Sequence, residues 1–362
     1  MLRGHFSQIA DIAVATKLLT LGSSWNVERE WNMTAFADLL SIQRACNTLN
    51  LDTALSRALV NTARPTIWLR HGDPVDDAAL TAGVSKVGGE PDLPPGIAWP
   101  TRPALADPEG TAKRLRKTLA DRAGADDAAL CLEFVIDHLA QETPMAFLAQ
   151  VNLSVMAREP GFDPSLPDRG MLWAFNDPFA DWYGTQSPSG GISLVWSDAG
   201  GLERRTTPQV VREAWQNGVS DYGIRMSEPW EADVKAEPLT PVSGWSITPR
   251  LSRHAYIDLA DERFAMKEDD GDQLGGWEEP IQQKMHGEVE LISTGKAGSE
   301  QAYAESVLSA GERWRHVLTI NAETYLWRLM PTWGDGAMFM FVDEEELEAR
   351  RFDKAAGTSQ FT

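Results

Sequence analysis

The chain has 362 residues, 43% hydrophobic and 24% charged, and its 53 acidic against 33 basic residues give a formal charge of −20. That apolar content excludes wholesale disorder, and the length allows two domains or one domain of two fused lobes. The charge sets the chain against nucleic-acid phosphates and anionic membranes; it accounts first for solubility and second for a basic protein partner.

Residues 6–21 and 34–60 read as helices and make residues 1–62 a helical N-terminal extension. In the second helix Phe36, Leu39, Leu40, Leu49, Leu55 and Leu59 approximate one face, with Asp38 in the first turn. Cys46 and Cys131 lie far apart on helix-like segments, so no disulfide framework is expected and a reducing compartment fits. No apolar run approaches membrane-spanning length. Asp11 and Lys17 interrupt the apolar stretch near the start, so it is not read as a signal sequence, and the expected location is cytoplasmic.

A first α+β subdomain is expected over 63–229, opening on a β-branched and aromatic strand at 66–70. A helical insertion spans 108–140, broken near Gly124. Its basic cluster, Lys113, Arg114, Arg116 and Lys117, reads as a solvated helix face. Adjacent strands follow at 147–153 and 171–175, then a strand at 192–196 and a short helix at 207–215.

A second subdomain occupies 230–362, beginning with a connector at 230–249 that Pro238, Pro241 and Pro249 keep irregular. A helix is expected at 299–314, with strands at 317–320, 325–330 and 337–341. A tight turn at 333–336 precedes the last of these. Asp343 reads as an N-cap, with Glu346 in capping-box position.

Three elements recur in order. Ser85-Lys86-Val87-Gly88-Gly89 returns as Gln273-Leu274-Gly275-Gly276, the strand ending at Asn152 returns ending at Asn321, and the strand before Asp177 returns before Asp343. The offsets are 187, 169 and 166 residues, so the strand pair is spaced alike in both halves. This pattern predicts an internal duplication of an α+β unit, with a period too long for a solenoid.

These residues resemble the YwqG-like family of bacterial proteins. The resemblance rests on Gly88-Gly89 with its following prolines, on Phe147-Leu148-Ala149-Gln150-Val151-Asn152, on Asp168-Arg169-Gly170-Met171-Leu172-Trp173, on Gly275-Gly276-Trp277, and on Trp333-Gly334-Asp335-Gly336. Glu278-Glu279 and Asn321 depart from the usual pattern. What the resemblance implies is an α+β architecture of two similar subdomains. For function it implies little beyond a role that some relatives are thought to have, immunity against a polymorphic toxin.

Templates of catalysis are missing from the sequence. The six histidines are scattered, no Gly-x-Ser-x-Gly elbow or metal-ligand spacing is present, and Gly88-Gly89 lacks the context of a nucleotide loop. No catalytic residue, metal or cofactor is therefore predicted. Polar residues on apolar strands are the better clue. Gln150 and Asn152 share one strand face, as Thr319 and Asn321 do in the other half. The favoured job for them is structural, satisfying backbone groups of the Gly-Gly turns. The other is lining a cleft between the halves, with Lys86, Gly88, Gly89, Gln282, Trp333 and Asp335.

The expected function is a non-enzymatic interaction protein, an immunity protein whose acidic surface occludes a basic toxin. Glu268, Asp269, Asp270 and Asp272 on one loop, and Glu344 and Glu345 on a helix, are the candidate contacts. The alternative is a small-ligand-binding protein or enzyme using the cleft.

Overall fold

Two carboxylates shape the helical start of the described chain. Asp38 caps helix α1 (Leu39–Thr48), accepting from the Ser41 N–H at 2.7 Å while Ser41 Oγ accepts from the Asp38 N–H. Asp52 caps helix α2 (Thr53–Thr62) through the Ala54 and Leu55 N–H groups. The single helix expected over 34–60 is thus two. Asn50, a residue that tolerates the left-handed region, takes φ 53° between them, and Asp52 restarts the helix.

The computed structural model describes residues 36–120, 126–180, 188–216, 235–251, 272–281, 284–296, 304–321 and 336–361. The chain divides into two compact units, Met1–Asn32 and Met33–Thr362. The first unit, including the helix expected at 6–21, lies outside the described residues, as do the strand expected at 325–330 and the tight turn at 333–335.

After α2 come strands β1 (Arg64–His71), β2 (Lys86–Gly88), β3 (Asp92–Leu93) and β4 (Thr101–Arg102). Helices α3 (Pro108–Ala120) and α4 (Asp126–Asp137) fall where a helical insertion is expected, and β5 (Thr143–Pro144) and β6 (Ala146–Asn152) follow them. The chain continues through α5 (Leu153–Met156), β7 (Met171–Asn176), β8 (Ile192–Ser197), β9 (Glu203–Arg204) and α6 (Gln209–Gln216). Next are β10 (Ala236–Ser246), β11 (Asp272–Leu274), α7 (His286–Ser293) and α8 (Glu305–Gly311). The last elements are β12 (Trp314–Asn321), β13 (Gly336–Asp343), α9 (Glu344–Glu348) and β14 (Ala356–Phe361).

The fold is α+β. Ten strands form one antiparallel sheet in the order β14-β13-β12-β11-β1-β10-β2-β6-β7-β8. The order is palindromic about its centre: β11 to β14 run outward on one side as β2, β6, β7 and β8 do on the other. Of the two central strands, β1 lies beside β11 and β10 beside β2.

Strand β10 corrects the expectation of an irregular connector. It pairs with β1 from Arg64↔Ser246 to His71↔Leu239 despite two prolines. Leu239 N–H donates to Ser85 O, so Pro241, two residues on, turns its missing donor to the same side, where β2 has ended. Pro238 lies beyond the last β1 partner, and its carbonyl accepts from the Gly72 N–H. Neither ring interrupts a ladder bond.

The helix expected at 299–314 is shorter, and Trp314 already belongs to β12. Asp343 does cap α9, accepting from the Glu345 N–H.

One face of the sheet is an apolar interior that draws on both halves, including Ile67, Leu69, Val87, Leu148, Val151, Leu274, Leu318 and Met340. The edge strands close on each other: a Cβ added at Gly357 in β14 would come 2.8 Å from Ile192 of β8. The outer face carries two separate clusters. Phe147, Trp173 and Phe175 pack under Leu93, and Phe339 and Phe341 pack under Met285 and Val289 of the α7 region.

Candidate functional site

Val87 faces the interior, so its neighbours Lys86 and Gly88 face outward by the two-residue period. Lys86 is fully buried there. Its ammonium donates to Asp77 Oδ1 at 2.5 Å and to Glu90 O at 2.7 Å, with Asp92 Oδ2 at 4.0 Å. Asp77 also accepts from the Glu90 N–H, and Arg204 Nε bonds Asp92 Oδ1 at 3.0 Å. Gln150 joins the same knot, accepting from the Asp92 N–H and donating to Val84 O and Asp92 Oδ2.

Burial opposes the charge on Asp92, but Arg204, the Gly83 N–H, Gln150 and Lys86 outweigh it and hold the carboxyl below its ordinary range. Burial also pushes Lys86 below the usual lysine range, although Asp77 and Asp92 pull the other way. Gly88 and Gly89 take φ 70° and 69°, and a Cβ on Gly89 would fall 2.6 Å from Asp77 Cγ. The turn is wound around that carboxylate.

The second turn is built alike with other side chains. Gly275 and Gly276 take φ 68° and 74°. Gln273 Nε2 donates to Gly275 O and to Trp277 O, Ser246 Oγ accepts from the Trp277 N–H, and Asp163 Oδ2 accepts from the Gly276 N–H. His316 bridges Gly275 O and Thr319 Oγ1 at 3.1 and 2.7 Å. Beneath lies Glu278, wholly buried and 3.2 Å from Arg250 Nε. Burial opposes its charge, and Arg250 more than restores it, lowering the carboxyl below the usual range.

Lys86, Gly88, Gly89, Gln150 and Asn152 come together at the first turn. Asn152 Nδ2 donates to Gly83 O, and its N–H donates to Ser85 Oγ. Asn321 lies on the side of the second turn, its N–H donating to Asp272 Oδ1 of β11, and β1 and β10 lie between the strands that carry the two turns. Asp272 itself is buried beside His71, 3.0 Å from Nε2, and is not on the surface. Glu344 and Glu345 are exposed on α9, with Glu344 3.3 Å from Arg315. Gln282, Trp333, Asp335, Glu268, Asp269 and Asp270 lie outside the described residues.

Sequence reasoning missed Asp77, Arg204, Asp163 and Arg250. Arg204, Asp163 and Arg250 reach their turns from distant segments, and Asp77 comes from nine residues before Lys86. Also unforeseen is a groove of about 310 Å³ between α1 and α2, lined by Gln43, Asn47, Thr53, Arg57 and Asn61 among others. Among the described residues no group of three or more His, Cys, Asp or Glu side chains is placed to hold a metal ion. None of the described helices is long and apolar enough to cross a membrane.

Fold and site together define an α+β protein whose ten-stranded sheet carries two Gly-Gly turns locked by buried polar networks. The chain belongs to the DUF1963 family, described as a domain of unknown function, whose model matches residues 85–360. No curated protein matches it.

Proposed function

We propose that this is a non-enzymatic, cytoplasmic interaction protein that neutralises a basic bacterial toxin domain, as an immunity protein does. The observation that carries the reading is α9, where Glu344, Glu345 and Glu348 stand exposed on a chain of net charge −20. Such carboxylates steer and pair with lysines and arginines around a toxin's active site, so association weakens with salt. The YwqG-like resemblance points the same way.

We also read the fold as a duplicated α+β unit whose first strands are exchanged. In support, Asn152 N–H bonds Ser85 as Asn321 N–H bonds Asp272, and each Gly-Gly pair follows a short strand in the same sheet position. The competing reading, a ligand site in a cleft between the halves, draws less support. Lys86 and Gln150 are wholly buried and bonded to the turn they hold.

The test is co-expression with the toxin encoded beside this protein. Restored growth is expected, lost when Glu344, Glu345 and Glu348 are changed together to Lys in a chain that still folds. Growth no better than without the protein ends the proposal.

A further inference from the structure

We propose that Arg64 anchors a binding site for a small oxyanion, a phosphate or a carboxylate, beside the second Gly-Gly turn. Arg64 opens β1, and its guanidinium lies on the indole of Trp277, 3.3 Å from the ring centroid. Arg250 approaches the same ring at 4.8 Å. The indole is buried and held by its own Nε1–H bond to Thr62 O, so the surface under Arg64 is fixed.

The neighbouring cations have partners. Arg250 meets Glu278 at 3.2 Å and Glu312 at 3.1 Å, and Arg315 meets Glu344 at 3.3 Å. Arg64 has no carboxylate at ion-pair distance among the described residues, and its Nη1 is shut off from solvent without an acceptor. Of the two buried carboxylates that act on it, Glu278 is paired with Arg250, and Asp163 is bonded to Ser165 and to the Gly276 N–H. Burial, then Arg315 and Arg250, push the guanidinium down to about 10, with Glu278 and Asp163 only partly restoring it.

An uncompensated guanidinium in such surroundings is costly, and the cost falls away when an anion supplies the missing charge. Among the described residues, none of the acidic side chains comes within ion-pair distance of this one. Stacking occupies the face of the guanidinium and leaves its in-plane N–H groups as donors, the fork that carboxylate and phosphate oxygens fit. Nη1 is closed off but the residue as a whole keeps some exposure, and the site would be entered from that exposed part. The site does not depend on the toxin reading.

The experiment titrates the full chain with inorganic phosphate, and separately with acetate, at constant ionic strength set by chloride. Binding is followed by calorimetry and by thermal unfolding. Saturable binding of one of the two is expected, with Tm raised by about 2 °C at roughly ten times the dissociation constant. R64Q should abolish binding, and R64K, which keeps the charge and loses the fork, should weaken it. Should R64Q fail to fold, R64K carries the comparison. No saturable binding by the wild type, or binding unchanged in whichever variant folds, overturns the proposal; which anion binds tells the two ligand classes apart.

Discussion

Lys86 and Gln273 do one job with different chemistry. Each stands three residues before the second glycine of its pair, and each donates at 2.7 Å to the carbonyl of the residue that follows, Glu90 in one case and Trp277 in the other. Lysine also brings a charge, which Asp77 and Asp92 balance; glutamine brings none, and Ser246 takes the position of acceptor.

Removing the ammonium should therefore cost more than removing its hydrogen bond. Lys86→Met leaves Asp77 and Asp92 with Arg204 alone and should destabilise by about 3 kcal/mol, since breaking a buried pair strands the other charge. Lys86→Gln keeps a donor for Glu90 O and should cost less. Urea unfolding of both variants checks the order, and equal losses would contradict it.

The glycines should divide by conformation. Gly89→Ala and Gly276→Ala place a Cβ at positive φ, against Asp77 in the first case and against Ser246 and Thr66 in the second. Each should cost about 2 kcal/mol or more. Gly96→Ala, with nothing within 4 Å of its added Cβ, should be neutral or slightly stabilising. Thermal unfolding of the three variants is the measurement.

His71 gives the protein an alkaline limit. Burial alone would lower its pKa, but Asp272 and Glu237 outweigh burial and raise it to about 10. Its folded value thus exceeds the unfolded value of about 6.5. The contribution is fully present below about pH 6.5 and is lost as pH rises through 10. The stability difference between wild type and His71→Gln should shrink steadily from pH 7 to above pH 10.

His316 acts at the other end of the scale. Burial pushes it down to about 4, with Glu278 and the Gly275 carbonyl only partly opposing. A histidine held neutral contributes stability above about pH 6.5 that is lost as pH falls through 4. His316→Gln, able to bond Gly275 O without titrating, should flatten the decline in unfolding free energy between pH 6.5 and pH 4.

Much of this could be read from neighbours along the chain. The two Gly-Gly pairs, the strand runs of β6, β7, β12 and β13 and the Asp343 cap depend on residues a few places apart. So does the outward side of Gln150 and Asn152, which bond the Asp92 N–H and the Gly83 carbonyl. Contacts between remote segments were another matter. The prolines of β10 argued locally for a loop, and only pairing with β1 made it a strand. Asp77 and Arg204 meet through folding alone, as do Asp163 and the Gly276 N–H. Alternation and capping are properties of adjacent residues, whereas the partner of a buried charge is set by which distant strands the sheet brings side by side.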